Sequence, residues 1–263
     1  MEKRRFGGFV YLWTVLIFVG LPAAVGARPL QKDWRIEPFE WQGSLGAGRV
    51  FAVRNPHGDV RARRSEGPAT AVYAAMQRHR DDPREWKISI TEVGDGLAVD
   101  VVLAAGSVPA ESAADWRPRR VDLTIYVPAG AKLRVETTAG LIEAKRLRGD
   151  VQARSAGGEI VITTSGNVDA RSDEGRIRYS FLDPRWVGSA RLATRSGDIN
   201  VTLPRGANID LAIHTRGEIS TDGTLAPSTD PSRHELKAVL GAGGSPVAVE
   251  SESGRVAVRQ IRS

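Results

Sequence analysis

Cysteine is absent from the 263 residues, which excludes a disulfide framework, a lipoprotein anchor and any thiolate metal site. Histidine is scarce: His57, His79, His214 and His234 are far apart, with no two at a ligand spacing. Lysine is sparse as well, supplying six of the 37 basic residues, so arginine carries the positive charge. There is no nucleophile with its base and no carboxylate pair at a specific spacing. No glycine loop opens a helix. The sequence therefore presents no catalytic set, no metal site and no phosphate cradle, and calls for no cofactor.

What is present is one short phrase, written repeatedly between Gly130 and Val201. A glycine is followed by a polar residue, an apolar one, a polar one and another apolar one. Examples are Gly149-Asp150-Val151-Gln152-Ala153, Gly158-Glu159-Ile160-Val161-Ile162 and Gly166-Asn167-Val168-Asp169-Ala170. The glycines at 140, 149, 158, 166 and 175 fall 9, 9, 8 and 9 residues apart. Apolar residues at every second place predict strands with one buried face, and the leading glycine predicts a turn of positive φ. A unit this short cannot bury its apolar face alone, so copies must stack. The expected fold is all-β, a β-solenoid whose two-strand rungs span about 18 residues, preceded by an irregular β-hairpin region. The alternative is an antiparallel β-sandwich with turns at a similar spacing. The small alanine at the second inward place favours the narrow interior of a solenoid. A longer echo adds to the repetition: Val127-Pro128-Ala129-Gly130-Ala131 returns as Leu203-Pro204-Arg205-Gly206-Ala207.

Taken in order, the chain opens on Lys3, Arg4 and Arg5, an apolar stretch, and the small residues Val25-Gly26-Ala27. This predicts a secretory signal peptide over residues 1–27 and an extracytoplasmic location in the periplasm, cell envelope or medium. The alternative is a membrane anchor over residues 6–27, and membrane association is expected only in that uncleaved case. Without residues 1–27 the chain keeps 34 basic and 30 acidic side chains, a net +4, which with export argues against a nucleic-acid partner. Residues 28–48 read as a lead-in that covers the end of the core, and 49–262 as the β-repeat domain. Within it, regular repeats run over 121–221, an exposed loop over 104–119 and a last copy over 247–259. Gly94-Asp95-Gly96 turns a hairpin between Ile88-Ser89-Ile90 and Leu97–Val101, whereas Ala71–Gln77 suits a strand or a short helix. The spacing breaks once, around Phe181–Val187, where Trp186 either packs over the stack or offers a contact surface. Asp59, Asp150 and Asp198 each follow a turn glycine, a position that turn formation alone explains.

The phrases over Asn55–Ala62, Val121–Ile142, Ser196–Ile219 and Ser251–Val258, with their Ser/Thr-x-x-Gly-x-Ile/Val pattern, resemble the bacterial "putative adhesin" family, also called the domain of unknown function 4097. The resemblance covers roughly residues 45–260 and implies an exported, solenoid-like domain with no catalytic residues to carry over. The function expected is a non-enzymatic structural or adhesion-type binding module of the cell envelope. Its solvated sheet faces would meet an envelope or surface component (glycan, lipid headgroup or protein) through many weak contacts. Arg154, Arg171, Arg176, Arg178 and Trp186 are the candidate ligand-binding residues, with no catalytic and no metal-binding residue. The alternative is a carbohydrate-active β-helix enzyme acting on a polysaccharide.

Overall fold

The computed structural model of the chain describes residues 34–79, 86–94, 96–103, 119–181, 183–222, 225 and 234–261. The expected signal segment lies outside them, as do residues 28–33 of the lead-in and, apart from Arg119, the expected loop at 104–119. The described chain begins with β1 (Trp34–Ser44), β2 (Val50–Arg54), β3 (Val60–Arg64) and β4 (Ala69–His79). A hairpin of β5 (Trp86–Val93) and β6 (Gly96–Leu103) leads to β7 (Val121–Val127). The regular run is β8 (Lys132–Thr137), β9 (Ile142–Leu147), β10 (Val151–Ser155), β11 (Ile160–Thr164), β12 (Val168–Ser172), β13 (Ile177–Phe181), β14 (Ala190–Thr194) and β15 (Ile199–Pro204). The last strands are β16 (Ile209–Thr215), β17 (Ile219–Thr221), β18 (Glu235–Leu240), β19 (Ser245–Ser251) and β20 (Val256–Ile261). No helix occurs among the described residues.

From β8 to β15 the chain alternates between two ten-stranded sheets, odd-numbered strands in sheet A and even-numbered ones in sheet B. Val151 of β10 lies beside Leu133 of β8 and Val168 of β12, in parallel register. Ile160 of β11 likewise lies between Ile142 and Ile177. These neighbours are 17 or 18 residues apart in sequence, the step widens to 22 across the Phe181–Val187 break, and each rung is one strand in each sheet. Parallel pairing throughout this run decides for the solenoid over the antiparallel sandwich. The stretch at Ala71–Gln77 is strand, pairing antiparallel with β7.

Along the stack the strand pairs are β6/β7, β2/β3, β8/β9, β10/β11, β12/β13, β14/β15, β19/β20 and β16/β17. Chain order is broken once near each end. From β7 to β8 the chain steps over the place that β2/β3 occupies, and from β15 to β16 it steps over the place that β19/β20 occupies. Both steps use the echoed proline-glycine turn, with Gly130 and Gly206 at φ of 79° and 82°. Antiparallel strands continue the sheets beyond the rungs: β4 and β1 next to β7, β5 next to β6, and β18 next to β16.

The inward residues form columns. In sheet A, Leu123, Val60, Ile142, Ile160, Ile177, Ile199 and Val256 stand side by side, none more than 1% exposed. Burying each such side chain contributes about 2 kcal/mol, so one aliphatic column is a major source of stability. The second inward column varies more, through Ala62, Ala144, Ile162, Tyr179 and Val201. The large Tyr179 shares its rung with the small Ala170 of the facing strand, which keeps the interior at nearly constant width. Tyr179 is fully buried, its ring 4.4 Å from that of Phe181, and its hydroxyl has no hydrogen-bond partner. Burial pushes that phenol well above its ordinary pKa, so it stays neutral.

The turn glycines answer mainly to packing. Gly58 and Gly140 have the expected positive φ, at 124° and 136°. Gly158, Gly175 and Gly197 do not; each lies against the backbone of the preceding rung. A Cβ at Gly158 would overlap the carbonyl of Gly140, one at Gly175 that of Gly158, and one at Gly197 that of Gly175. The expectation of positive φ at every phrase is therefore corrected: most of these glycines are required because nothing larger fits between stacked turns. The hydroxyl of the Ser/Thr-x-x-Gly pattern has its own part. Thr137, Ser155, Ser172, Thr194, Ser251 and Thr215 stack as one buried column in sheet B. Ser155 Oγ accepts the N–H of Gly158 (2.7 Å), Ser172 Oγ that of Gly175 (2.8 Å) and Ser251 Oγ that of Gly254 (2.9 Å). Thr215 Oγ1 also donates to the carbonyl of Gly254 (2.8 Å). In the β2/β3 rung Asn55 takes the hydroxyl's place, its Nδ2 donating to the Val121 carbonyl at 2.8 Å.

Gly158→Ala is expected to lower the free energy of unfolding by about 3 kcal/mol through backbone overlap. Gly206→Ala, at a positive φ with open space around it, should cost only about 1 kcal/mol; equilibrium urea unfolding of both variants checks the ordering. Tyr179→Phe removes an unsatisfied buried hydroxyl and should stabilise the fold by about 1 kcal/mol, read as an upward shift of the same unfolding midpoint.

Candidate binding groove on sheet B

Each strand of sheet B that ends in the buried hydroxyl turns the preceding residue outward. Parallel register then aligns these residues across the sheet: Arg54, Glu136, Arg154, Arg171, Ala193, Glu250 and His214. The turns beside this line are themselves stacked by backbone hydrogen bonds. The N–H of Gly157 donates to the Thr138 carbonyl (3.0 Å), that of Glu174 to Ala156 (2.9 Å) and that of Ser253 to Arg195 (3.0 Å). Side-chain line and turn ladder enclose an open groove. One part, of about 560 Å³, is lined by Arg54, Glu136, Arg154, Arg171 and Asp173. A second, of about 590 Å³, shares Arg171, Ser172 and Asp173 and runs on past Arg195, Glu250, His214 and Arg216.

The charges within it are unevenly compensated. Arg54 pairs with Glu136 (3.6 Å), Arg195 with Asp173 (3.2 Å), and Arg171 with Asp169 (3.0 Å) on its own strand. Glu250 is taken by Arg191 (3.3 Å) and His214 sits 3.3 Å from Glu235. Arg154 and Arg216 have no ion pair or side-chain hydrogen bond among the described residues. Arg154 and Arg171 lie directly beside each other in register, two guanidinium groups with no carboxylate between them along the line.

Arg178 lies on β13 of sheet A, whose outward face is on the other side of the core, and Arg176 lies in the turn that leads into that strand. There, cations are held by acids: Arg178 pairs with Glu159 (2.5 Å), Arg176 with Asp198 (3.6 Å) and Arg255 with Glu218 (3.3 Å). Nearer the start of the stack, Asp59 accepts from Arg61 and Arg120, and Asp122 from Arg120. Glu143 is gripped by Arg63 and Lys145. The structure thus brings two of the four candidate arginines together and places the other two on the opposite face. Trp186 is 5% exposed; its indole N–H donates to the Gly166 carbonyl (3.1 Å) and its ring meets Phe181 edge-on at 4.8 Å. It packs along the side of the stack, away from the groove.

Asp59, Asp150 and Asp198 tie rungs together: their carboxylates accept the backbone N–H of Leu141 (3.0 Å), Asn167 (2.9 Å) and Arg255 (3.0 Å). Among the described residues no group of three or more His, Asp or Glu side chains gathers to hold a metal. The groove residues that sequence reading passed over are Arg54, Glu136, Arg195, His214, Arg216 and Glu250. Three of them, with Arg154 and Arg171, carry a shared signal. Arg54, Glu136 and Glu250 each directly precede the Asn, Thr or Ser of a hydroxyl-x-x-glycine turn, and His214 precedes Thr215 in the shorter turn to Gly217.

Residues 122–259 match the family described as Toastrack DUF4097, and the chain belongs to that family. No curated protein matches it in sequence. Among solved structures, a "putative cell adhesion protein" from Clostridium sporogenes is similar at 11% identity and a TM-score of 0.49, over 86% of this chain and 100% of that one. A "putative adhesin" from Bacteroides fragilis matches at 10% identity and a TM-score of 0.26, over 86% and 97%. A "Putative lipid binding protein" from Parabacteroides distasonis matches at 8% and 0.22, over the same shares.

The contrast between the faces yields a pH test. Burial works to raise the Glu143 carboxyl, but its bonds to Lys145 and Arg63 outweigh it and hold the carboxyl below its ordinary 4.5. A depressed value means that its contribution is complete above 4.5 and is lost as pH falls through the lowered value. Glu143→Gln should therefore lower stability at neutral pH and lose little more on acidification, narrowing its gap to the unaltered protein below pH 4.5. Urea midpoints measured across that range check this.

Proposed function

We propose that the chain is an exported, non-enzymatic binding module of the cell envelope that grips its ligand by multivalent contact along sheet B. The observation that carries this reading is the repetition of the groove from rung to rung. Parallel register sets one outward side chain per rung at the same height, so an extended partner meets one contact per rung at a fixed spacing, a cation at Arg54, Arg154 and Arg171. Weak contacts repeated along one rigid surface add up to useful avidity. The signal-like start of the chain and the export implied for the family support an extracytoplasmic location. The fold supports the rest: the residues facing the groove are polar and charged, and their arginines suit charge-assisted hydrogen bonds to an acidic partner.

The experiment is binding of the protein, expressed as the full chain and recovered from the extracytoplasmic fraction, to isolated cell envelopes across a salt series. Saturable binding that weakens with salt is the expected outcome, because exposed charge contacts are screened. The double change Arg154→Glu, Arg171→Glu should weaken it by about tenfold or more, and Arg176→Glu, Arg178→Glu much less. Retention of the chain in the cytoplasm would sink the export reading. Failure to bind at any salt would sink the binding reading, and release of reducing ends from an envelope polysaccharide would sink its non-enzymatic part.

A further inference from the structure

We infer that the groove on sheet B takes a linear acidic polysaccharide lying lengthwise along the stack, its carboxylates held by Arg154 and Arg171. This rests on the binding-module reading above and names the ligand of the same site.

The first argument is direction. The two parts of the groove are lined by β2, β8, β10 and β12 and then by β12, β14, β19 and β16, which are consecutive neighbours in sheet B. At about 4.8 Å per strand, the line from β2 to β16 extends on the order of 30 Å. A ligand that uses it must be long, narrow and extended. The spacing between strands is comparable with the length of one sugar ring in an extended polysaccharide, so successive units can meet successive rungs.

The second argument is charge. Arg154 has no partner among the described residues, and Arg171 beside it is shared only with Asp169. Arg216 extends the unpaired positive charge beyond them. Against these stands Glu252, which has no ion pair among the described residues; Glu136, Asp173 and Glu250 are already neutralised by arginines. The guanidinium fork matches a carboxylate in two parallel hydrogen bonds; that of Arg154 has no partner among the described residues, and Arg171, met by Asp169 on its own strand, sets a second cation one strand away.

The third argument is the lining itself. No Phe, Tyr or Trp ring faces either part of the groove, so neutral sugars lack the large platforms on which they stack best. Backbone groups of the stacked turns and the hydroxyl-bearing turn residues, such as Thr138, offer hydrogen bonds suited to sugar hydroxyls. An apolar ligand would have to desolvate the charged side chains of the line.

The test uses polygalacturonate as the probe, with neutral dextran and inorganic polyphosphate beside it, each titrated calorimetrically into the full-chain protein at two salt concentrations. Polygalacturonate should bind, dextran should not, and polyphosphate should bind at least tenfold more weakly. Oligogalacturonates of increasing length should bind progressively better until they fill the groove. Arg154→Ser with Arg171→Ser should lower affinity at least tenfold at an unchanged unfolding midpoint, whereas Arg176→Ser with Arg178→Ser should leave it unchanged. Equal binding of polyphosphate would show that charge alone is read and overturn the polysaccharide assignment. Affinity independent of length, or equal losses from the two double variants, would overturn the lengthwise pose on sheet B. Lack of binding to polygalacturonate by a protein that still binds envelopes would overturn the ligand assignment and leave the binding module standing; lack of both would remove the two together.

Discussion

Stacked turns in this protein touch backbone to backbone, and that contact sets the terms for the rest of the structure. A glycine such as Gly158 or Gly175 rests on the carbonyl of the turn below, at a separation that leaves no room for a β-carbon. The same approach lets the parallel ladders form on both sheets without a break between strand and turn. Once the rungs are locked at that spacing, every side chain is placed on a lattice. Inward ones become aliphatic columns, the Ser and Thr hydroxyls become a buried polar column, and outward ones become lines of charge. A sequence with a larger residue at these corners would lose the ladder, the core and the surface lines together.

The hydroxyl column shows how the turns are held without loops of any length. A buried turn must satisfy its own N–H groups, and Ser155, Ser172 and Ser251 do so from within the strand by accepting the glycine N–H three residues on. The pattern is local in sequence, which is why it recurs along the stack despite changes in the core residues around it. The aspartates after the glycines work across rungs instead, each tying its turn to the next through one backbone N–H. Electrostatics follows the same division. Sheet A spends its charges on internal pairs, and sheet B sets the unpaired Arg154 beside Arg171, which is held only by Asp169.

Much of this was legible in the sequence. Alternation in Ile160–Thr164 or Val168–Ser172 reads as strand because period two has no helical counterpart, and the regular glycine spacing reads as stacking. The surface was harder. Arg154 and Arg178 both take outward places in their phrases, and only the assignment of successive phrases to opposite sheets puts them on different faces; that assignment follows from two strands per rung but needs the rung to be recognised first. Trp186 was ambiguous because an apolar residue in a break of pattern looks the same whether it seals a side or faces a partner. Rung order was hidden for a different reason. Each phrase is compatible with any other as a neighbour, so adjacency carries no local signature. The longer proline-glycine echo was visible all along, at Val127–Ala131 and Leu203–Ala207, and it marks the two steps over a rung.

Those two steps govern how such a protein can change in size. An ordinary solenoid lengthens or shortens by gaining or losing copies at its ends. Here the outermost rungs, β6/β7 and β16/β17, are fastened by strands from elsewhere in the chain, β2/β3 and β19/β20, wedged behind them. A copy added beyond either end would have to displace the antiparallel strands β4, β5 or β18 that already pair with the outermost rungs. A whole rung inserted between the two steps, among β8 to β15, would disturb neither fastening. The architecture is therefore a spindle of adjustable length between two fixed clasps, and growth in its middle would extend the arginine-bearing line by one place per rung.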